Sequence, residues 1–311
     1  MKLIIQIPCL NESETISTVL SDLPNSIDGI DQIEILIIDD GSTDDTVQKA
    51  EEHGVDHIIH NIGTKGLGTS FSKGLEFAIQ QNADILVNTD GDHQYPGNQI
   101  PSLIKPILEK QADIVIGDRQ TSQVSHFSIT KKFFQWLGTR ATVFLTGEKE
   151  LKDAVSGFRA YSRDAMLDLN ITDKFSYTLD TTIQASDKRL KLKSIPIIIN
   201  EPTRPSRLFK NIGEHIRKSG TGAIRTFALY KPLKVFVSLG TVFFIIGVIP
   251  IIRFLYDYFL NSGSGKIQSL IIGSILLSVA FNCFALGIIG DLQGRNRKLI
   301  EDVLRKLKEK N

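Results

Sequence analysis

Asp90 and Asp92 stand two residues apart in the stretch Asn88 to Gly97, NTDGDHQYPG, with only Gly91 between them. Two carboxylates at that spacing suit a hard divalent cation, which takes oxygen ligands and commonly shares them with substrate phosphates. A short apolar run, Ile85-Leu86-Val87, precedes them and reads as a buried strand. The strand therefore delivers both carboxylates at its C-terminal tip, the edge where open α/β sheets bind ligands. Asp, Gly, Asn and Pro are also turn residues, so the pair alone fits a solvated loop equally well. The neighbouring segments decide between the two.

Each of them repeats the pattern of an apolar run followed by polar residues. Leu3 to Ile7 reads as a first strand and ends at Pro8-Cys9-Leu10-Asn11-Glu12; a helix begins near Ser13. Ile33 to Ile38 runs into Asp39-Asp40-Gly41-Ser42-Thr43, where Ser42 or Thr43 can cap the next helix, Asp44 to His53. Capping leaves Asp39 and Asp40 unexplained. A short strand, His57 to His60, leads to Asn61-Ile62-Gly63-Thr64-Lys65-Gly66-Leu67-Gly68 and a helix from Thr69 to Gln81. Glycines and a lysine at a helix N-terminus favour phosphate. The spacing matches neither a P-loop nor a dinucleotide fingerprint. A helix over Ile100 to Lys110 and a strand over Ile114 to Ile116 end in Gly117-Asp118-Arg119. Strands alternating with helices predict an α/β domain with a mostly parallel sheet.

The next segments are less regular. A helix from Ile129 to Leu145 carries Phe133, Phe134, Trp136, Leu137 and Phe144, read as core or membrane-facing packing. Lys152 to Arg163 mixes a short strand with charges that should line the acceptor side. Tyr177 to Ser186 reads as a helix and Leu192 to Ile199 as a strand.

Charge divides the chain. From Thr203 onward there are 17 Lys and Arg against 6 Asp and Glu; before it, 19 against 29. Arg204 to Tyr230 is basic and amphipathic, the composition of a helix lying on an anionic membrane surface. Val235 to Ile252 and Ser269 to Gly290 are apolar runs, and crossing the ~30 Å hydrocarbon core takes about 20 residues. Both read as transmembrane helices. Lys231 and Lys234 before the first, and Arg295, Arg297 and Lys298 after the second, put both termini on the cytosolic side. Arg295 to Lys310 then forms a cytosolic helix. The expected divisions are 1–202, 203–232, 233–292 and 293–311. Nothing at the N-terminus resembles a signal peptide, and Cys9 and Cys283 suggest no disulfide framework.

The ordered segments IPCLNESETI, IDDGSTDDT, NIGTKGLGTS, NTDGDHQYPG, IGDR and SGFRAYSR together resemble a family 2 glycosyltransferase with a GT-A nucleotide-sugar-binding fold, over roughly residues 1 to 235. The two spans and the segment TRPSRLF make the chain similar to the dolichyl- or polyprenyl-phosphate sugar synthases. That resemblance implies roles residue by residue. Pro8, Asn11 and Glu12 match the first nucleotide loop. Asp39 matches the base reader, with Asp40 beside it. Lys65 and Gly66 match the loop over the nucleotide. Asp90, Asp92 and Gln94 match the element holding Mg²⁺ or Mn²⁺ and the diphosphate. Arg119 matches the arginine on the lipid phosphate, and Ser156, Gly157, Phe158 and Arg159 match the acceptor element. Arg204 and Arg207 join the lipid-phosphate side, and Asp153 is assigned a place in acceptor positioning. Cys9 departs from the usual Ala or Val, and Asp180 falls where Glu is common; Asp180 is left outside the site.

The implied reaction is an inverting transfer of a hexose from a UDP- or GDP-sugar to undecaprenyl or dolichyl phosphate. It implies an integral membrane enzyme (of the plasma membrane in a prokaryote) with a cytosolic catalytic domain, contact with membrane lipid, no nucleic-acid partner, and room for homo-oligomers through the spans. A processive polysaccharide synthase would carry Q-x-x-R-W, and Gln135-Trp136 lack the Arg. Another membrane or glycan acceptor, and a non-catalytic nucleotide-sugar-binding scaffold, are the competing readings.

Overall fold

The structure is a computed structural model that describes residues 1–62, 66–121, 124, 129–171, 177–201, 225, 227–260 and 267–310. It divides into two compact units: Met1–Thr226 with Val303–Asn311, and Phe227–Asp302.

In the first unit, β1 (Lys2–Cys9), β2 (Gln32–Asp39), β3 (His57–His60), β4 (Ile85–Asn88), β5 (Ile114–Asp118), β6 (Arg159–Ser162) and β7 (Leu192–Pro196) form one sheet, ordered β3-β2-β1-β4-β6-β5-β7. Every pairing is parallel except those of β6, which runs antiparallel to both β4 and β5. β1 is buried on both faces, as expected of a strand covered by helices on either side. Leu3, Ile5 and Ile7 pack with Val19, Leu103 and Ile104 on one face. Ile4, Leu36 and Ile38 pack with Phe71, Leu75 and Met166 on the other.

The helices of that unit are α1 (Ile16–Asp22), α2 (Thr46–Glu52), α3 (Leu67–Gln80), α4 (Ile100–Leu108), α5 (Ile129–Thr146), α6 (Arg163–Asp168) and α7 (Tyr177–Lys188). The chain builds β1, β2 and β3 outward to one side, then crosses to β4 on the other side of β1. That reversal opens a crevice at the C-terminal ends of β1 and β4, where such sheets bind ligands. Lys152 to Arg163 supplies β6, so this segment is an internal strand of the sheet and not only an acceptor-side loop.

The second unit contains α8 (Pro232–Leu260) and most of α9 (Ile267–Lys308). Both are long and apolar enough to cross a membrane, and only 11% and 17% of their most apolar windows is buried. A helix in a soluble core would be largely covered. Glycines let the two helices touch: a Cβ on Gly273 would lie 2.4 Å from Ile251 Cγ1 and 2.9 Å from the Gly247 carbonyl. The span and the C-terminal helix expected as separate elements are one continuous helix. A single Gly294 costs about 1 kcal/mol there, too little to break it. Within the first unit, Arg305 at its end pairs with Asp164 at 2.9 Å and Asp168 at 2.8 Å, and Lys308 donates to the Leu169 carbonyl. The basic segment expected over 204–230 lies largely outside the described residues.

Candidate active site

Four loops meet at the crevice, and their backbones are tied to one another. After β1, Asn11 adopts φ 57°, uncommon for a residue with a side chain. This turns its Oδ1 to accept from the Thr43 N–H at 2.7 Å, while its own N–H donates to Ser42 Oγ. The Glu12 N–H donates to Thr46 Oγ1 at 2.7 Å, and the Thr15 hydroxyl donates to the Gly91 carbonyl at 2.7 Å. The first loop is thereby fixed to both the β2 and the β4 loops. Pro8 is buried within β1.

Asp39 ends β2 and is almost fully buried. Burial raises its carboxyl, but the Ser42 N–H at 2.8 Å and His60 at 3.2 Å outweigh this and hold it below the usual carboxylate range. Asp40 faces α3: it accepts from Asn61 Nδ2 at 2.9 Å, the Gly66 N–H at 2.8 Å and the Ser70 hydroxyl. Asp40 therefore ties Asn61, Gly66 and the first turn of α3 to the end of β2. Lys65 lies outside the described residues.

Asp90 and Asp92 follow β4. Burial and the charges of Asp92 and Glu12 outweigh the pull of Arg119 and push the Asp90 carboxyl up to about 7. A cluster that resists carrying all its negative charge is one that a cation relieves. Asp92 Oδ1 accepts from the Gln94 N–H at 3.1 Å, with His93 between them at φ 60°. Asn200 clamps this loop from outside: its N–H donates to the Gln94 carbonyl and its amide to the His93 carbonyl, both at 2.9 Å. Among the described residues no group of three or more His, Cys, Asp and Glu could hold a metal unaided. The donor set is two carboxylates, which fits a cation that completes its shell with phosphate and water.

On the far side, Arg119 follows β5 and is buried with Asp153. Nε donates to Oδ2 at 2.7 Å and Nη2 to Oδ1 at 3.0 Å. Burial raises the Asp153 carboxyl, but the guanidinium wins and holds it low. The sequence assigned both residues to the acceptor side, and the structure brings them together.

Two of the expected acceptor residues lie inside the domain. Arg159 is fully buried; its guanidinium donates to the carbonyls of Ser156, Thr178 and Ala154 and to the hydroxyls of Thr181 and Thr182. Those bonds are all made inside the domain and hold Arg159 against the acceptor element. Ser156 is likewise fully buried. Arg204 and Arg207 lie outside the described residues. Asp180, left out of the site, is buried in α7 and accepts from Gln184.

Other residues at the site went unrecognised in the sequence. Gln6 donates to Asn88 Oδ1 at 2.8 Å, and Asn88 Nδ2 donates to the Tyr177 hydroxyl at 2.7 Å and the Gly157 carbonyl at 3.0 Å. The Tyr177 ring stacks on Phe71 at 4.1 Å. Gly157 lies against the Asp90 carboxylate: a Cβ there would be 3.2 Å from both oxygens and 3.1 Å from the Tyr177 hydroxyl. The available signal was a Gln and an Asn inside apolar strands, which pair directly in the β1–β4 register.

Residues 4–169 match the family described as Glycosyl transferase family 2. The undecaprenyl-phosphate mannosyltransferase of Micrococcus luteus is 26% identical over 65% of this chain and 84% of its own length. Glycosyltransferase AglJ of Haloferax volcanii is 28% identical over 92% of this chain and 91% of its own. Among solved structures, the glucosyl-3-phosphoglycerate synthase of Mycobacterium tuberculosis, in complex with Mn²⁺, UDP-glucose and phosphoglyceric acid, superposes with a TM-score of 0.56 at 20% identity. That match covers 73% of this chain and 78% of the other, and it shows a shared GT-A fold.

Proposed function

The chain belongs to glycosyl transferase family 2, and from that premise we propose that it transfers a hexose from a UDP- or GDP-sugar to a polyprenyl phosphate in the membrane. One observation carries this reading: a paired-carboxylate cluster and a buried arginine–carboxylate pair lie close enough to act on each other, in a chain that also has two span-length apolar helices. The names of the Micrococcus and Haloferax relatives, and the Mn²⁺ and UDP-glucose of the Mycobacterium neighbour, agree with it.

The donor side is assigned to Asn11, Glu12, Asp39, Lys65 and Gly66. Asp39, kept ionised, presents a carboxylate at the place where a base N–H would be read. Asp90 and Asp92, with Gln94 in the same loop, would hold Mg²⁺ or Mn²⁺ together with the diphosphate. A cation so placed supplies Lewis-acid neutralisation of the leaving nucleoside diphosphate.

The acceptor side is assigned to Arg119, positioned by Asp153. A phosphate monoester has a second pKa of about 6, so it is already anionic near neutral pH and needs no strong base. Asp153 occupies Nε and Nη2, so the phosphate would meet the Nη1 edge of the guanidinium. Attack by a phosphate oxygen on the anomeric carbon, opposite the leaving diphosphate, forms the new C–O bond with inversion. The flanking lysines and arginines support a cytosolic side for the catalytic unit and both termini.

Acceptor choice tests the reading. Purified protein with a labelled UDP- or GDP-sugar should move label into the organic phase with undecaprenyl or dolichyl phosphate. Transfer to a water-soluble phosphate such as 3-phosphoglycerate, with none to the lipid, would overturn it.

A further inference from the structure

Tyr95 follows the turn that Asp92 and Gln94 close, and its side chain is buried. The ring stacks on Phe158 at 5.2 Å, with the two planes 9° apart. Packing of that kind needs only the ring, and a phenylalanine would supply it. The hydroxyl calls for a separate reason. Its oxygen accepts from the Gly157 N–H at 3.4 Å, a long bond that uses a lone pair and leaves the proton to be placed. The Ser156 hydroxyl lies beside it. Both O–H groups rotate, so they can bond each other or turn to an incoming oxygen.

The charges around this hydroxyl belong to both halves of the site. Burial pushes it up to about 12; Arg119 opposes that rise, while Asp90 and Asp153 add to it. It is therefore a neutral donor, close enough to the metal loop and to the buried ion pair for their charges to act on it. A phosphate monoester brings three free oxygens. Asp153 already takes Nε and Nη2 of Arg119, and the edge that remains of one planar guanidinium meets two oxygens at most. The third oxygen needs a donor from elsewhere, and an anion taken out of water is costly when a lone-pair site is left unmet.

We propose that Tyr95 is a catalytic residue of the acceptor side, its hydroxyl donating to a non-attacking oxygen of the acceptor's phosphate alongside Arg119. The two donors then orient the phosphate so that the attacking oxygen keeps its lone pair toward the anomeric carbon. This role rests on the proposed phosphate acceptor and deepens it by naming a second group that touches that phosphate.

Tyr95→Phe removes the hydroxyl and keeps the ring for Phe158. With the full-length protein in detergent, a labelled nucleotide sugar and Mn²⁺, the variant should raise the KM for polyprenyl phosphate roughly tenfold or more, the worth of a hydrogen bond to a charged group. Its melting temperature and its affinity for the Mn²⁺-nucleotide should stay near those of the wild type. An unchanged acceptor KM overturns the proposal. So does a rise matched by an equal loss of nucleotide affinity, which is what a loosened metal loop would give. Fluorotyrosine at position 95 gives a second readout with the packing kept. Its fluorine resonance should shift when polyprenyl phosphate is added and stay in place when the polyprenol without phosphate is added; a resonance that ignores the phosphate overturns the assignment. If the wild type glycosylates only a water-soluble phosphate, and Tyr95→Phe raises the KM for that acceptor, the lipid reading fails and the role of Tyr95 stands.

Discussion

Arg119 and Asp153, 34 residues apart in the chain, meet as a buried two-pronged ion pair at 2.7 and 3.0 Å, close enough for the arginine to act on Asp90. The pair holds the guanidinium in one plane and orientation, as a fork that must meet a phosphate requires. It also makes each partner costly to remove. Asp153→Ala leaves a buried cation uncompensated, which destabilises by about 3–5 kcal/mol. The melting temperature should fall and transfer should be lost. Arg119→Lys keeps a charge but not the fork, so it should raise the acceptor KM while leaving nucleotide affinity near that of the wild type. An unchanged acceptor KM in Arg119→Lys contradicts the assignment.

Gly157 tests the geometry around Asp90. A methyl group there would press on both carboxylate oxygens at 3.2 Å and on the Tyr177 hydroxyl at 3.1 Å. Gly157→Ala should lower metal-dependent transfer or apparent metal affinity by roughly 10–100-fold, the usual cost of disturbing a ligand's support. Titration of activity with Mn²⁺ reads this. Tyr177→Phe, which loses only the hydroxyl that Asn88 binds, should show a smaller loss in the same assay.

Asp44 gives a pH signature for the first two loops. Burial raises its carboxyl, but Thr46 and the Ser13 N–H outweigh this and draw it down to about 2. Its folded value lies below its unfolded value of about 3.9, so its contribution is fully present above that value and lost as pH falls toward 2. Asp44→Asn should therefore melt below the wild type at pH 6, and the gap should close as pH drops through that window. Melting curves from pH 6 to pH 2.5 check the sign. A gap that widens on acidification refutes it.

Arg305 ties the end of α9 to Asp164 and Asp168. Arg305→Glu replaces two attractions with repulsions on a partly exposed surface, where such pairs are each worth about 1 kcal/mol or less. The melting temperature should move little. Cleavage in the C-terminal turns by limited proteolysis should become several-fold faster, since this is a local opening.

Much of this was legible in the sequence. Runs such as Ile85-Leu86-Val87 can only be buried strands when polar ligand-type residues follow each of them, so the ligand edge and the position of Asp90, Asp92 and Arg119 could be read directly. For β6 the sequence showed only a short strand somewhere in Lys152 to Arg163; its place inside the sheet was not legible, because its antiparallel pairing is fixed by distant β4 and β5. The surroundings of Arg159 were hidden for a related reason. An arginine in a ligand-side motif reads as a ligand contact, and only the fold reveals the carbonyls and threonines that consume its donors. The bonds among Gln6, Asn88 and Tyr177 beneath the end of β4 join side chains up to 89 residues apart, and no local pattern encodes that.

The central claim is that one crevice joins a metal-dependent donor site to an anionic lipid acceptor. Its most direct measurement is transfer from labelled UDP- and GDP-sugars to polyprenyl phosphate by purified protein in detergent, with Mg²⁺, Mn²⁺ or EDTA, beside Asp92→Ala and Arg119→Ala. One sugar should enter the lipid phase with metal present. EDTA and Asp92→Ala should abolish it, and Arg119→Ala should abolish it while nucleotide still binds. Metal-dependent nucleotide binding with no lipid product from any donor would contradict the account.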